Sequence, residues 1–365
     1  MLALAACSSP IEPASGGSGS GDPAASVRCV EDANAVVAKY RQPLQQPFPS
    51  PFDGRPVTGK SFWVISITQA GPSVVASTKG FAEAAEKVGA KAVIFDGKGS
   101  PDLFNQGVNS AVAAQAAGIL LVGFDPNLVK QSLVTAKSAG IPVISGLSGA
   151  PDAAMPDGVV GQVTFDGTEE GVLQANYAAV KTGCKVSGVM FYSQSSIATR
   201  RIADGAKAEL QRICPETCTL DLQNVDSTAF ATKLTSQAQN YLQRTPDVNF
   251  ILTSSDSYVT YLLPAVKMLN LTTPVIGVTG DTLAAAQQGS GQTADILWPP
   301  LQMVGYMYFD SLMRSTVQQQ ETVVKMQLRL VDKSNWGADT SLRNLYPQQA
   351  NYQSEYAQLW GAAAR

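Results

Sequence analysis

The feature that most limits the fold of this chain is a repeated alternation of short apolar segments with amphipathic helical stretches. The early apolar segments carry apolar residues on both faces, as strands do in a parallel sheet that helices cover on both sides. Parallel strands joined by helices require right-handed crossovers. The predicted strands are 62–68, 92–96, 118–123, 142–145, 159–164, 186–192, 219–223, 250–254, 275–279 and 294–298.

So many strands exceed one comfortable open sheet, and 365 residues exceed the size at which a single core stops growing. The sequence therefore predicts an α/β protein with two doubly wound parallel-sheet lobes. The first sheet extends to about residue 163, and the second lies between 165 and about 299. A helix at 301–316 and a strand near 325–331 follow. The tail from residue 332 has no strand pattern, and its 340–360 stretch is predicted to be a surface helix.

Composition argues against several classes of function. Charged residues make up only 15% of the chain, the net charge is -3, and no basic cluster is present, so we expect no nucleic-acid partner. The chain contains no histidine, which excludes Ser-His-Asp and Cys-His catalysis and histidine-containing zinc sites. Together these features argue against an enzyme.

The amino terminus indicates export. The LAAC sequence that ends at Cys7 resembles the lipobox of bacterial lipoproteins, in which the peptide is cut before a cysteine that becomes lipid-modified. We therefore expect residues 1–7 to be a truncated signal and residues 8–58 to be a flexible tether followed by a Pro-rich segment. The predicted location is the periplasm or the outer face of the cytoplasmic membrane, with a lipid anchor at Cys7.

The remaining cysteines, Cys29, Cys184, Cys214 and Cys218, allow three disulfide pairings in an oxidising compartment. The tight CPETC loop favours Cys214 with Cys218. Cys29 would then join Cys184 and attach the amino-terminal segment to the second lobe. A metal site normally needs four clustered ligands, so we expect neither a metal nor another cofactor.

Polar side chains follow many of the predicted strands, and ligands of open α/β sheets bind beyond the carboxyl ends of strands. These groups are hydroxyls and amides with a few aromatic rings, and none pairs a nucleophile with a base. One stretch, Tyr177 to Lys181, has the Tyr-x-x-x-Lys spacing that resembles short-chain dehydrogenases, but QAGPS lacks their glycine-rich turn. The strand ends hold Gln69–Ser73, Gly123–Asp125, Gly146–Ser148, Tyr192–Ser196 with Arg200, Ser254–Asp256, Thr279–Asp281 and Trp298–Pro300.

Several segments together resemble the type I periplasmic solute-binding proteins, the ribose-binding family and its relatives that serve ABC transporters for sugars and polyols. The resemblance covers about residues 60–331. It implies two lobes joined by a three-stranded hinge, with 59–163 plus 300–326 in the N-terminal lobe and 164–299 plus 327–365 in the C-terminal lobe. The segments are SITQAGPSVVASTKGFAEAAEKVGA, IPVISG, RRIADGAKAEL, ILTSSDSYVTYLLPAVKMLN and PVIGVTGDT.

The resemblance also implies binding residues. The aromatic pair after the family's first-loop proline is here Ser73-Val74, and its Asp-Arg pair after strand four is Leu147-Ser148. Without those charged groups, we expect a polyol or another small neutral polar solute rather than ribose or a pyranose. The predicted ligand-binding residues are Gln69, Ser73, Phe124, Asp125, Ser148, Tyr192, Arg200, Phe230, Ser255, Asp256, Thr279 and Trp298.

The sequence thus predicts a monomeric solute-binding lipoprotein that closes over its ligand and delivers it to an ABC transporter permease. A chemoreceptor partner of the same fold is the alternative, and an oxidoreductase-like enzyme is a weaker one. A repressor of this fold would carry a basic helix-turn-helix before the first strand, where this chain has a Gly/Ser tether.

Overall fold

The chain forms two α/β lobes, each built on a six-stranded sheet. The computed structural model describes residues 23–147, 150–226, 229–282, 286, 289–318, 322–337 and 345–361. Among these residues, no helix is both long and apolar enough to cross a lipid bilayer.

The N-terminal lobe has the strand order β11-β5-β4-β3-β1-β2, with all neighbouring strands parallel. Its elements are β1 (Ser61–Ser66), α2 (Pro72–Lys87), β2 (Lys91–Asp96), α3 (Pro101–Ala113), β3 (Gly118–Val122), α4 (Lys130–Ser138), β4 (Val143–Gly146), β5 (Val159–Thr164), α9 (Leu301–Gln318) and β11 (Thr322–Lys325).

The C-terminal lobe has the order β12-β10-β9-β8-β6-β7, in which only β12 is antiparallel to its neighbour. The predicted doubly wound α/β fold with two lobes is confirmed. The elements of the C-terminal lobe are α5 (Gly167–Thr182), β6 (Ser187–Tyr192), α6 (Ile197–Ile213), β7 (Thr219–Asn224), α7 (Phe230–Arg244), β8 (Phe250–Thr253), α8 (Asp256–Met268), β9 (Val275–Thr279), β10 (Gln292–Leu297) and β12 (Arg329–Asp332).

Three connections pass between the sheets and form the hinge. They lie between β5 and α5, between β10 and α9, and between β11 and β12. Consecutive elements on either side of each connection belong to different sheets. Any rotation of one lobe against the other must therefore change the backbone angles within these short segments.

Glycines allow the closest helix contacts in each lobe. A Cβ at Gly80 of α2 would lie 2.0 Å from the carbonyl oxygen of Gln302 in α9, and one at Gly171 of α5 would lie 2.1 Å from that of Ile202 in α6. Two helix backbones therefore touch in each lobe, which a larger residue would prevent.

The amino-terminal segment differs from its prediction as a tether. Residues 23–40 form a helix, α1 (Pro23–Tyr40), that packs on α5. Cys29, Ala33 and Val37 are spaced by four, so they share one helix face, and all three are buried. The Gly, Ser and Pro composition that suggested a tether belongs to residues 8–26, which lie before and at the start of this helix.

Both predicted disulfides are present, and they confirm the favoured pairing. Cys29 of α1 is bonded to Cys184, which follows α5. Cys214 and Cys218 close the loop after α6. The first bond attaches α1 covalently to the C-terminal lobe.

The carboxyl-terminal tail also corrects the sequence prediction. Its helix, α10 (Tyr352–Leu359), is not a surface helix of the C-terminal lobe. Tyr352, Tyr356 and Trp360 are at most 1% exposed and pack around Tyr306 of α9, in the N-terminal lobe. The spacing of four places the three aromatic rings on one face, and that face needs a buried partner.

Aromatic packing joins two of the three hinge connections. Phe165 of the first connection stacks on Trp298 of the second, with ring centroids 4.4 Å apart. The indole N–H of Trp298 donates to Oε2 of Glu170 at 2.8 Å. Burial raises the pKa of Glu170 to about 8, the hydrogen bond from Trp298 opposes this shift, and the charge of Asp256 adds to it. Glu170 is therefore protonated at neutral pH.

We expect Gly80→Ala to destabilise the protein by about 3 kcal/mol or more, because the new Cβ would overlap the Gln302 carbonyl and force the two helices apart. Urea unfolding followed by circular dichroism measures this. Gly71→Ala is the control, since its Cβ would meet nothing closer than 3.9 Å at a φ of −88°. Equal stabilities for both variants would contradict the packing described.

We expect the stability of the protein to depend on Glu170 between about pH 4.5 and pH 8. A carboxyl whose pKa is higher in the folded state binds more protons there, so its contribution is complete below the unfolded pKa and is lost as pH rises through the folded value. Glu170→Gln keeps an acceptor for Trp298 and should flatten the decline of unfolding free energy across this window.

Glu169→Gln is the matched control for this experiment. Burial acts to raise the pKa of Glu169, but hydrogen bonds from Lys325 and Tyr40 outweigh it, and the pKa is lowered. Glu169 is thus ionised in both states across most of the window, and its variant should keep the wild-type slope. A Glu170→Gln profile parallel to wild type would show that Glu170 does not titrate as described.

Candidate functional site

The carboxyl ends of the two sheets face each other across a cleft. Contacts of two carboxylate groups, among the described residues, help to join the lobes there. Ser73 Oγ, in the first turn of α2, donates to Asp281 Oδ2 after β9, and Arg201 of α6 forms an ion pair of 3.2 Å with Asp152 between β4 and β5. Since each contact links a loop of one lobe to the other lobe, both mark where the walls of the cleft meet.

The C-terminal wall, the side of the cleft that belongs to the C-terminal lobe, contains a loop with unusual backbone geometry. Thr279 has a φ of 104° and Gly280 a φ of 91°. A positive φ is a genuine outlier for a β-branched residue and persists only where the surroundings impose it. The result is a tight reversal after β9 that directs Asp281 toward Ser73.

Two buried carboxyl groups impose this geometry. Asp256 accepts hydrogen bonds from the backbone N–H groups of Val278 at 2.8 Å and Thr282 at 3.0 Å, and Asp295 accepts one from Gly280 at 3.2 Å. Both carboxyl groups are 0% exposed. They therefore fix the loop from beneath, on the side away from the cleft.

The electrostatics of this carboxyl pair follow from its burial. Burial raises the pKa of Asp256 to about 6. For Asp295, burial and then the charge of Asp256 raise the pKa well above its usual range. Two carboxyl groups this close do not ionise independently, so the pair titrates as one unit.

The predicted residues of the N-terminal wall are engaged mainly within their own lobe. Gln69 uses its carboxamide to bond Ser66 at 2.9 Å and to accept from Thr78 at 3.3 Å. Phe124 stacks on Phe104 with centroids 4.0 Å apart. Asp125 accepts from the Asn127 backbone N–H at 2.9 Å and so caps a short turn. Ser73, by contrast, contacts the opposite lobe.

The predicted residues of the C-terminal wall vary in their environment. Tyr192 is half-buried at the end of β6. Arg200 donates to the carbonyl oxygen of Gln194 at 2.5 Å. Phe230 packs against Tyr258 and Tyr261 with centroids 5.5 and 5.7 Å apart. These side chains lie in or beside loops that follow strands.

Three further predicted residues have structural contacts. Ser255 caps α8 by accepting from the Ser257 N–H at 3.2 Å. Asp256 and Trp298 are buried in the loop support and the hinge described above. Ser148 and Cys7 lie outside the described residues. The ligand-binding roles of the twelve residues named from the sequence stay predictions.

Asp281, the partner of Ser73 across the cleft, is not among the binding residues predicted from the sequence. It belongs to the Thr279–Asp281 triplet at a strand end, but the family resemblance implied a binding position at Thr279. Because the backbone reverses at Thr279 and Gly280, the side chain that reaches the cleft is Asp281, two residues after Thr279. A Gly-Asp pair directly after a buried strand was the available signal.

Among the described parts of the chain, no group of three or more Asp, Glu, Cys or His side chains has an arrangement suited to a metal ion. Tyr177 and Lys181, the pair with dehydrogenase-like spacing, lie on α5, where the ring of Tyr177 is buried and its hydroxyl donates to Thr293 O at 3.4 Å.

Solved structures share this architecture. A Caulobacter myo-inositol binding protein bound to myo-inositol superposes with a TM-score of 0.69 at 16% identity, covering 77% of this chain and 96% of that one. An ABC transporter solute-binding protein from Mycobacterium smegmatis with bound glycerol gives 0.68 at 22% identity, with 77% and 96% covered. One from Agrobacterium vitis bound with alpha-D-tagatopyranose gives 0.66 at 19% identity, with 79% and 99% covered.

No curated protein sequence matches this chain significantly. The periplasmic binding protein domain family matches residues 62–316, which is well over half of the chain and contains the cleft loops of both lobes. The chain therefore belongs to the periplasmic binding protein family, whose members bind solutes rather than catalyse reactions.

Proposed function

We propose that this protein is the extracytoplasmic solute-binding component of an ABC transporter, and that it binds a small neutral polyol or sugar-like solute between its lobes. The observation that carries the proposal is the hydrogen bond from Ser73 to Asp281 across the cleft. It brings polar groups of both lobes within reach of one small molecule, which is the arrangement that lets a ligand stabilise closure.

The chemistry of the walls supports a neutral ligand rich in hydroxyl groups. Asp281 accepts from Ser73 and from Thr279, so its carboxylate already receives hydroxyl donors. The pKa of Asp281 is raised by partial desolvation within the cleft, and the hydrogen bonds from these two hydroxyl groups oppose this shift without reversing it. A ligand hydroxyl can take the place of Ser73, whereas an anionic ligand would be repelled.

The structural relatives are consistent with this class. Their bound molecules include myo-inositol, glycerol and a tagatopyranose, all uncharged and all carrying several hydroxyl groups. Each hydroxyl both donates and accepts, so a wall of hydroxyl and amide groups with one carboxylate can satisfy such a ligand. Release to a permease would follow when the lobes separate.

Attachment to the membrane through a lipid at Cys7 belongs to the same proposal. The LAAC sequence supports it, and mass spectrometry of the amino-terminal peptide from membrane-bound protein tests it. Delivery to a permease as a monomer completes the proposed cycle.

Thermal-shift titration against a panel of polyols and neutral sugars tests the binding function. We expect at least one compound to raise the melting temperature in a concentration-dependent way, because a ligand that binds only the folded state stabilises it. A folded protein that responds to no compound in the panel, nor to any molecule co-purified with it, would refute the proposal.

We expect Asp281→Asn to weaken binding of the best compound by about 1.5–3 kcal/mol, since a hydrogen bond to a charged acceptor is lost or reversed. Isothermal titration calorimetry measures the change. Asp157→Asn removes a carboxylate that pairs with Lys137 away from the cleft, and it should bind as wild type does. Unchanged affinity in Asp281→Asn would exclude the carboxylate from the binding site.

A further inference from the structure

The chain passes between the lobes twice more, in addition to the three hinge connections. The N-terminal strap, residues 41–54, leads from α1 on the C-terminal lobe to the N-terminal lobe. The C-terminal strap, residues 345–360, also leads from the C-terminal lobe to the N-terminal lobe, near the other end of the chain. Each strap is fastened at both of its ends.

The N-terminal strap is held on the C-terminal lobe by charge and by burial. Arg41 forms an ion pair with Asp332 of β12, with Nη2 and Oδ2 2.7 Å apart and only 3% of the Asp332 side chain exposed. Leu44 is buried in a cluster with Leu297 and Val331. The strap begins directly after α1, which the Cys29–Cys184 disulfide bonds to the C-terminal lobe, so this end of the strap is firmly attached.

Its other end is held on the N-terminal lobe. The backbone N–H groups of Phe52 and Gly54 donate to the carbonyl oxygens of Leu359 and Trp360 at 2.8 and 3.0 Å. The guanidinium of Arg314 in α9 lies 4.2 Å from the centroid of the Phe52 ring. The two straps therefore bind each other as well as α9.

The C-terminal strap begins in the C-terminal lobe, where Leu345 and Tyr346 are buried beside Leu297. It ends on the N-terminal lobe, where Trp360 is fully buried and its indole N–H donates to Asp310 of α9 at 2.8 Å. Asp310 in turn pairs with Arg314 at 2.8 Å. This end of the strap is thus held by a buried polar network.

Gln46 of the N-terminal strap contacts the third hinge connection, and the C-terminal strap contacts Gln46. Its Oε1 accepts from the Gln327 backbone N–H at 2.9 Å, and its Nε2 donates to Lys325 O at 3.4 Å. The carboxamide of Gln349 in the C-terminal strap lies against the backbone of Gln46. Rotation of this connection must therefore disturb both straps.

A surface pocket of about 270 Å³ borders the middle of the N-terminal strap, lined by residues 46–49, α9 and the edge of β11. The two straps touch each other beside it, where the ring centroids of Phe48 and Tyr356 lie 5.4 Å apart. The C-terminal strap packs on α9 through Tyr352 and Tyr356. The straps therefore form one packed unit on the N-terminal lobe, and they reach the C-terminal lobe through Arg41, Leu44, Leu345 and Tyr346.

We propose that the two straps form a hinge brace that limits how far the lobes open and biases the ligand-free protein toward the closed arrangement. Opening about the three connections lengthens or bends the path of each strap, and it must break the Gln46 contacts or the attachment at Trp360. The free-energy cost of breaking them adds to that of the hinge itself, so the brace sets the open population.

Pulsed electron spin resonance between labels on the two lobes tests the brace without a ligand. The labels are placed at the exposed positions Asp102→Cys on α3 and Lys233→Cys on α7, in a Cys7→Ser background with both disulfides intact. In Gln46→Ala and in Trp360→Ala we expect a longer mean distance and a broader distribution than in the unsubstituted protein.

Two matched controls separate the brace from general destabilisation. Gln237→Ala removes a half-buried glutamine of α7 that bonds Asn224 O, and Phe104→Ala removes a buried aromatic ring of the N-terminal lobe outside both straps. Both should keep the original distribution. Circular dichroism checks folding, and Gln46→Ala decides the question if Trp360→Ala does not fold. An unchanged distribution in folded Gln46→Ala overturns the proposal, as does an equal shift in the controls.

Discussion

The stacking of Phe165 on Trp298, with Glu170 bound to the indole N–H, is the contact on which the two-lobed structure depends. It joins two hinge connections with a side chain of the C-terminal lobe, so it fixes where the two sheets turn toward each other. Burying a carboxyl group costs free energy unless the group takes up a proton or finds a donor, and Glu170 does both. The hinge is consequently a small packed core and not a loose linker.

The same use of buried carboxyl groups recurs beneath the cleft. Asp256 and Asp295 accept backbone N–H groups of the loop after β9 and hold it in a conformation that a threonine adopts rarely. The carboxylate exposed to the cleft, Asp281, is therefore presented by a rigid support. A preorganised acceptor loses little conformational entropy on binding, which favours recognition of a small solute that offers few contacts.

The straps give this protein a hinge environment that its fold does not require. Two sheets and three connections complete the architecture, yet both chain ends continue across the hinge and fasten to α9 through Phe52, Arg314 and Trp360. Their contacts converge on Gln46, next to a connection that must rotate. Closure and the ordering of the chain ends are thereby coupled.

The sequence by itself determined the two α/β sheets and most of their strands within a few residues, because the period of apolar residues is a local property. It favoured the observed disulfide pairing among three, and it merged β11 and β12 into one strand near 325–331. Only the tertiary structure decided that Glu170 and Asp295 are buried, that Asp281 rather than Thr279 reaches Ser73, and that α1 and α10 pack instead of extending into solvent. Each of these depends on a backbone reversal or on partners distant in the chain, 50 residues apart for Trp360 and Asp310 and 208 for Ser73 and Asp281. No local pattern specifies which distant surface a short amphipathic face will meet.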